Sequence, residues 1–265
     1  MPEAPDIDPH TAAATLEWLV EMGCDEGIAE QPLNRYALPD RMPPAATAPA
    51  PQAAPNAAPT LLRVDSDPVT EAERAATAAT TLDDLRAALS GYPHCDLRLG
   101  AKSLVFCDGN PAARVMIIGE APGRDEDRAG KPFVGAAGQL LDKMLAAIGM
   151  ARDADDAAKS VYITNVLPWR PPSNRDPEPL EVAMMLPFLR RHVELADPDI
   201  LILMGNHACN AVLGRKGITK MRGQWATGFD RPALPMLHPA YLLRQPSAKR
   251  DAWADLLDLA ARLDG

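Results

Sequence analysis

The 265-residue chain lacks any apolar run near the roughly 18 residues that a membrane-spanning helix requires. Residues 1–6 are acidic and lack the basic and apolar regions of a secretory signal. Cysteine is also scarce: four are present, and we expect them to stay reduced. These absences argue against a membrane protein and predict a cytoplasmic one.

The net charge of −9 is distributed unevenly along the chain. Residues 1–75 hold 13 acidic and four basic side chains, whereas residues 76–265 hold 23 of each. From Arg231 to Arg250 there are four basic side chains and no acidic one. Because a neutral domain can bind nucleic acid when its basic groups cluster on one face, the sequence predicts such a cluster in this segment.

Composition divides the chain into three parts. Residues 1–37 form an acidic segment in which 11–22 are predicted to be a short amphipathic helix. Residues 38–68 are predicted to be an extended linker, because 38–59 contain seven prolines and eight alanines. Residues 69–265 are predicted to be a single folded domain. Two interpretations of the first helix stay open: docking on its own domain, or binding a partner protein.

The C-terminal domain alternates short apolar runs with amphipathic segments. Predicted strands cover 115–118, 161–164, 200–204 and 234–237, and predicted helices cover 70–88, 138–148, 179–195 and 206–213. This alternation predicts an α/β fold with a parallel sheet covered by helices on both faces.

The first predicted strand runs into a segment that contains five glycines within residues 119–138. Glycine allows sharp turns and lets backbone N–H groups approach a ligand closely. The segment lacks the Lys-Ser/Thr pair of a phosphate-binding loop and the glycine spacing of a dinucleotide fingerprint. Because ligands bind at the carboxyl ends of strands in open α/β sheets, we expect a ligand site of another kind here.

Four segments in order resemble the motifs of the family 4 uracil-DNA glycosylases. They are Gly119-Glu-Ala-Pro-Gly with the following Gly-Lys-Pro-Phe-Val-Gly, Tyr162-Ile-Thr-Asn-Val, Arg170-Pro-Pro-Ser-Asn-Arg and His238-Pro-Ala-Tyr-Leu-Leu-Arg. The resemblance covers roughly residues 76–264. It implies a three-layer α/β/α sandwich with a central four-stranded parallel sheet. It also implies excision of uracil from DNA, which leaves an abasic site and belongs to base excision repair.

The resemblance assigns five residues to the uracil pocket: Glu120, Ala121, Phe133, Asn165 and His238. His238 is expected to donate a hydrogen bond to uracil O2 as negative charge develops on the departing base. Asn165 offers a donor and an acceptor on one amide, which fits the O4 and N3–H edge of uracil and not that of cytosine. Phe133 is expected to stack on the flipped base.

The residue that orients the attacking water is less clearly indicated. Ala121 is a pocket residue at the position where family 1 enzymes carry an aspartate, so no carboxylate stands there. Three candidates stay open: Glu120, Glu126 and Asn174, of which Asn174 occupies the position proposed to hold water in the family. Glu126 has an alternative role as an anchor of the glycine-rich segment, and Glu120 as a contact to the base.

The cysteine positions depart from the family, whose members hold a [4Fe-4S] cluster with four thiolates. Cys95 is the only thiol retained at a ligand position, because the other positions carry Tyr92, Trp169 and either Met184 or Met185. One thiolate cannot hold such a cluster, so we expect no cluster or other metal, with apolar packing in its place.

The last motif also indicates how DNA is bound. Leu242 or Leu243, together with Arg244, is predicted to enter the gap left by the flipped nucleotide. Lys249 and Arg250 are predicted to contact phosphates. Arg175 in the third motif is predicted to bind DNA. An alternative for the leucines is packing under the last helix. For the whole chain, the alternative is a noncatalytic DNA-binding or recruitment protein that retains the fold.

Overall fold

The computed structural model describes residues 67–264, and the expectations for residues 1–66 lie outside this range. Four parallel strands form the centre of its sheet: β2 (Val115–Gly119), β3 (Val161–Asn165), β4 (Ile200–Met204) and β6 (Arg231–Met236). Two short antiparallel strands, β1 (Asp108–Gly109) and β5 (Ala226–Gly228), pair at the edges and give the order β1-β3-β2-β4-β6-β5. The predicted central sheet is therefore confirmed, and the two edge strands are additional.

Alternate residues of each central strand enter different cores. In β2, Val115 and Ile117 belong to one buried cluster, whereas Met116 and Ile118 belong to the other. This period of two explains why the central strands consist of almost continuous apolar residues. Both faces are buried, which confirms the α/β/α class.

Helices cover both faces of the sheet. The first face carries α1 (Pro68–Ala78), α2 (Leu82–Gly91), α3 (Leu97–Gly100), α6 (Pro179–Ala196), α7 (Gly205–Leu213) and α8 (Ile218–Met221). The second face carries α5 (Ala136–Ala146) and α10 (Lys249–Asp264). Two short helices, α4 (Arg124–Ala129) and α9 (Pro239–Arg244), follow the carboxyl ends of β2 and β6. Among residues 67–264, no helix has both the length and the apolar character needed to cross a membrane.

The single helix predicted over 70–88 is wrong, because the chain breaks between α1 and α2. Thr81 caps α2: its hydroxyl accepts from the N–H of Asp84, while the Asp84 carboxylate accepts from the N–H of Thr81. This capping box starts a new helix at Leu82. The leucines at 82, 85 and 89 form an apolar stripe, which had suggested one continuous helix. Asp67 caps α1, so this helix begins at Pro68.

The predicted basic cluster from Arg231 to Arg250 is only partly formed. Arg231 begins β6, at the amino end of the strand, and pairs with Asp197. Arg244, Lys249 and Arg250 lie beyond the carboxyl end of the same strand and are exposed. A strand separates the two groups, so Arg231 does not belong to the basic face.

Candidate active site

A cavity of about 430 Å³ opens where the central strands end. This volume is within the range of small-molecule sites. Its lining joins all four central strand ends and consists of Glu120, Ala121, Gly123, Glu126, Phe133, Ala137, Asn165, Gly205, Asn206, His207, Ile218, Leu237, His238, Ala240, Tyr241 and Arg244. The cavity thus brings together the predicted pocket residues from three separate motifs.

Two rings stand side by side in this cavity. The Phe133 and His238 rings are stacked with 5.4 Å between centroids and 28° between planes. His238 caps the start of α9, where its Nδ1 accepts a hydrogen bond from the N–H of Ala240 at 3.1 Å. This bond leaves Nε2 as the protonated nitrogen of the neutral ring.

Burial keeps the His238 ring neutral. Desolvation, with a smaller contribution from Arg244, lowers its pKa to about 4, and Glu126 acts in the opposite direction. A neutral imidazole with its proton on Nε2 can donate a hydrogen bond from that nitrogen at neutral pH. The site therefore holds a donor whose position is fixed by the backbone of α9.

Asn165 lies at the end of β3, directly opposite Gly119 at the end of β2. It is 6% exposed and lines the cavity, and no hydrogen bond joins its side-chain amide to another group within residues 67–264. A Cβ at position 119 would lie 2.3 Å from Asn165 Oδ1 and 2.6 Å from the Phe133 ring. Gly119 therefore makes room for both side chains, and the Asn165 amide is available to a ligand.

Phe133 is held in an unusual backbone conformation. Its φ is +53°, in the left-handed region that disfavours bulky residues. Arg152 donates hydrogen bonds to the carbonyls of Pro132 and Phe133 at 3.0 and 2.9 Å, and its guanidinium also pairs with Asp108. A Cβ on Gly138 would lie 1.8 Å from the Phe133 carbonyl oxygen, so only glycine fits at this point of α5.

The two candidate carboxylates have different surroundings. Glu126 Oε1 accepts from the N–H groups of Val134 and Gly135 at 3.1 and 2.9 Å, as expected of a residue that anchors the glycine-rich segment. Glu120 faces His207 at 3.8 Å, and His207 also lies 3.7 Å from Asp176. Burial raises the pKa of Glu120, His207 partly offsets this rise, and Asp176 adds to it.

The structure does not bring Asn174 to the cavity. Its side chain is exposed, and its Oδ1 accepts from Arg170 Nε at 2.8 Å. Ser173 and Asn174 both have positive φ, so the loop turns tightly and directs the amide toward Arg170. Arg175 of the same motif pairs with Glu181 at 2.6 Å and Glu178 at 3.2 Å.

The predicted wedge residues divide by burial. Leu242 is 1% exposed and packs in the core, as in the packing alternative, so it is not positioned to enter DNA. Leu243 is 46% exposed on the same helix, and Arg244 is exposed at the rim of the cavity. Leu242 and Leu243 differ in exposure because one face of α9 packs on the core while the opposite face meets solvent.

The residues at the family's cluster positions do not fit an iron–sulfur cluster. Tyr92, Trp169, Met184 and Met185 are at most 4% exposed and lie in one apolar cluster with Cys95. The Tyr92 hydroxyl donates to the Pro68 carbonyl, and burial raises the pKa of the Cys95 thiol to about 11. A single protonated thiol among apolar groups does not supply the thiolates that such a cluster needs.

Two residues that shape this site were not predicted from the sequence. His207 follows β4, and its place at a carboxyl strand end was a usable signal. Arg152 gave no local signal, because its contacts to Asp108 and to residues 132–133 arise only when the chain folds. Both lie outside the recognised motifs.

Comparison with known proteins places this α/β/α fold in the uracil-DNA glycosylase superfamily. The model of the "Uracil DNA glycosylase superfamily" matches residues 106–257. The chain is 37% identical over 186 residues to a type-4 uracil-DNA glycosylase of Archaeoglobus fulgidus, covering 66% of this chain and 89% of that protein. It is 40% identical over 158 residues to the type-4 enzyme of Thermotoga maritima, covering 58% and 78%. The chain belongs to the type-4 uracil-DNA glycosylase family.

A more distant relative also matches. The chain is 35% identical over 120 residues to a type-5 uracil-DNA glycosylase of Pyrobaculum aerophilum, covering 42% of this chain and 53% of that protein. The matches to the type-4 proteins are longer and cover more of this chain and of each relative. They confirm the resemblance that the four motifs indicated.

Proposed function

We propose that this protein is a monofunctional uracil-DNA glycosylase of base excision repair. It hydrolyses the N-glycosidic bond of uracil in DNA, releasing uracil and leaving an abasic site. The observation that carries this proposal is the convergence of Phe133, Asn165 and His238 in one cavity. A stacking ring, an amide and a neutral hydrogen-bond donor are the groups that recognition and release of a uracil base require.

Each pocket residue has a step in this reaction. Phe133 stacks on the flipped base, and the free Asn165 amide pairs with uracil O4 and N3–H. As the C1′–N1 bond breaks, its electron pair leaves with uracil, and the oxygen of water forms the new bond to C1′. The proton that this water loses neutralises the uracil anion, so the products are free uracil and an abasic sugar that carries a hydroxyl group. His238 Nε2–H donates to O2, where the negative charge develops, and so stabilises the departing anion.

We further propose that Glu120 orients the water. It lines the cavity, whereas Asn174 lies outside the lining and one oxygen of Glu126 is occupied by two backbone N–H groups. His207 beside Glu120 favours the charged form of that carboxylate. Glu126 then holds the residues that follow Phe133, which keeps the stacking ring in place.

We propose that the protein works without an iron–sulfur cluster, with the packing of Tyr92, Trp169, Met184 and Met185 in its place. A cytoplasmic location and a protein partner for residues 1–37 stay proposals from the sequence.

The DNA partner follows from the reaction itself. Arg244, Lys249 and Arg250 support it, because they are exposed and form no ion pair with residues 67–264, and Arg244 lines the cavity.

Incubation with a labelled oligonucleotide that carries one uracil tests the proposal. We expect alkali to cleave the strand at that position after incubation, and to leave an otherwise identical thymine-containing strand intact. An uncleaved uracil strand at stoichiometric protein would contradict the proposal and favour a noncatalytic DNA-binding protein.

A further inference from the structure

A second cavity lies between α5 and α10, on the face of the sheet opposite α6. It has a volume of about 280 Å³, and its walls include Met144, Leu242 and Leu256. Trp253 forms part of its edge with 43% of its surface exposed. We call this cavity the Trp253 groove. A tryptophan so exposed beside an apolar groove is typical of a binding surface.

The groove is bordered by positive charge alone. Lys143 and Lys249 line it, and none of its lining residues is acidic. Neither lysine forms an ion pair with any group in the described range 67–264, and the adjacent Arg250 is also unpaired there. The two cations therefore remain available to an anionic ligand.

The acidic side chains nearest these lysines in sequence are engaged elsewhere. Asp142 pairs with Arg152 at 2.8 Å, and Asp258 accepts from the indole N–H of Trp225 at 2.6 Å. Asp251 lies 3.8 Å from Arg222, which also pairs with Asp255. These contacts reduce the negative charge that would otherwise oppose an anion at the groove.

Helix α9 links the groove to the active-site cavity. Ala240, Tyr241 and Arg244 line the cavity, whereas Leu242 lines the groove. The helix has six residues and so is about 9 Å long. A DNA strand that passes over Leu243 and Arg244 therefore reaches the groove within a few nucleotides of the target.

We propose that the Trp253 groove binds a base of the DNA strand that flanks the target nucleotide. Trp253 stacks on this base, while Lys143 and Lys249 contact the neighbouring phosphates. An aromatic ring combined with a positively charged groove is the usual way in which proteins bind single strands without reading their sequence. The identity of the ligand as DNA rests on the proposed function.

Binding of Trp253→Ala to a uracil-free oligodeoxythymidine of about 15 nucleotides tests the stacking contact. We expect the Kd to rise about five-fold or more, with an unchanged salt dependence, because stacking is apolar. Trp253→Phe should retain most of the affinity. Leu257→Ala is the matched control, since Leu257 is 49% exposed on the same helix but does not line the groove.

The double variant Lys143→Gln/Lys249→Gln tests the phosphate contacts. Its plot of log K against log salt concentration should be shallower by about 1.4, or roughly 0.7 for each lost contact to a single strand. Trp253→Ala binding as tightly as Leu257→Ala would overturn the proposal and indicate a protein partner for the groove. An unchanged salt slope in the lysine variant would also overturn it.

Excision assays separate this proposal from the proposed function. Trp253→Ala should remove uracil at the wild-type rate from an oligonucleotide too short to reach the groove, and more slowly from a longer one at subsaturating protein. Equal rates on both lengths would contradict the groove proposal and leave the glycosylase intact. Absence of excision by the wild-type protein would contradict the proposed function, whereas the binding measurements on uracil-free DNA would still test the groove.

Discussion

The backbone N–H of Ala240 donates to Nδ1 of His238, two residues earlier. This contact fixes the ring and places its proton on Nε2. Because burial also lowers the pKa of His238 to about 4, the ring is neutral at neutral pH. His238→Ala should reduce the single-turnover rate of uracil excision about 10²–10³-fold, since one donor to the developing anion is lost. DNA affinity should remain largely unchanged.

His94→Ala is the matched control for His238, because His94 contacts Glu71 and does not line the cavity. The depressed pKa of His238 also sets the pH profile. Protonation of Nδ1 removes the acceptor through which Ala240 fixes the ring, so excision should fall only as the pH approaches about 4, rather than near the ordinary histidine value of 6.5. A His238→Ala rate equal to that of His94→Ala would refute the assignment.

Asn165→Asp should lower uracil excision by about 10²-fold or more, because a carboxylate cannot donate to uracil O4. The variant should retain its fold, since no hydrogen bond to any residue within 67–264 is lost. Single-turnover assays on uracil- and cytosine-containing strands provide the measurement. Asn110→Asp is a control, because the Asn110 side chain caps a turn at Ala112 through an oxygen that aspartate keeps. Full uracil activity in Asn165→Asp would show that the amide does not read the base.

Arg152→Lys should lower kcat/KM about 10- to 100-fold through displacement of Phe133. One ammonium cannot replace the guanidinium contacts to the carbonyls of Pro132 and Phe133 and to Asp108. Competition by free uracil should weaken in parallel, a readout that a general loss of stability would not change. Lys131→Ala, which removes a different ion pair of Asp108, should leave both quantities unchanged. Unaltered competition in Arg152→Lys would show that this residue does not position the ring.

Arg244→Ala should impair excision from duplex DNA more than from a single strand, because only the duplex must be opened around the flipped nucleotide. Single-turnover rates on the two substrates give the ratio. Arg231→Ala is the control, since Arg231 carries the same charge at the opposite end of β6. An equal loss of rate on both substrates would show that Arg244 contacts a phosphate and does not enter the gap left by the flipped nucleotide.

The purified protein should be colourless and should contain neither iron nor acid-labile sulfide, because Cys95 is the only thiol at the family's ligand positions. Cys95→Ala should accordingly retain excision activity. Metal analysis and a visible absorption spectrum check this expectation. Stoichiometric iron with absorption in the blue region would contradict it.

The central sheet was predictable because its signal is local. A buried parallel strand must be apolar on both faces, and Val115–Gly119 and Ile200–Met204 meet this condition in sequence. Strand β6 begins at Arg231, three residues before its predicted start at 234, and Pro232 within it is a residue that sequence patterns disfavour in a strand. Thr81 and Asp84 form a capping pattern that indicates a helix start at Leu82, but the apolar stripe of the segment favoured a single helix.

The site was predictable only where a motif specified it. Phe133, Asn165 and His238 meet in the cavity as the motifs implied. Asn174 does not, because its amide is engaged by Arg170, a contact that depends on loop conformation. The burial of Leu242 and the exposure of Leu243 depend on how α9 rotates against the core, and adjacent leucines carry no signal for that choice.

Release of free uracil is the event that defines a uracil-DNA glycosylase, and it can be measured directly. Wild-type protein and His238→Ala would be incubated under single-turnover conditions with a uracil-containing strand, and the released base would be identified by mass spectrometry. We predict one free uracil and one abasic site per strand with the wild type, and release slowed about 10²–10³-fold with the variant. An intact strand with both proteins would contradict uracil excision by this protein. Equal release by both would contradict the role of His238 in it.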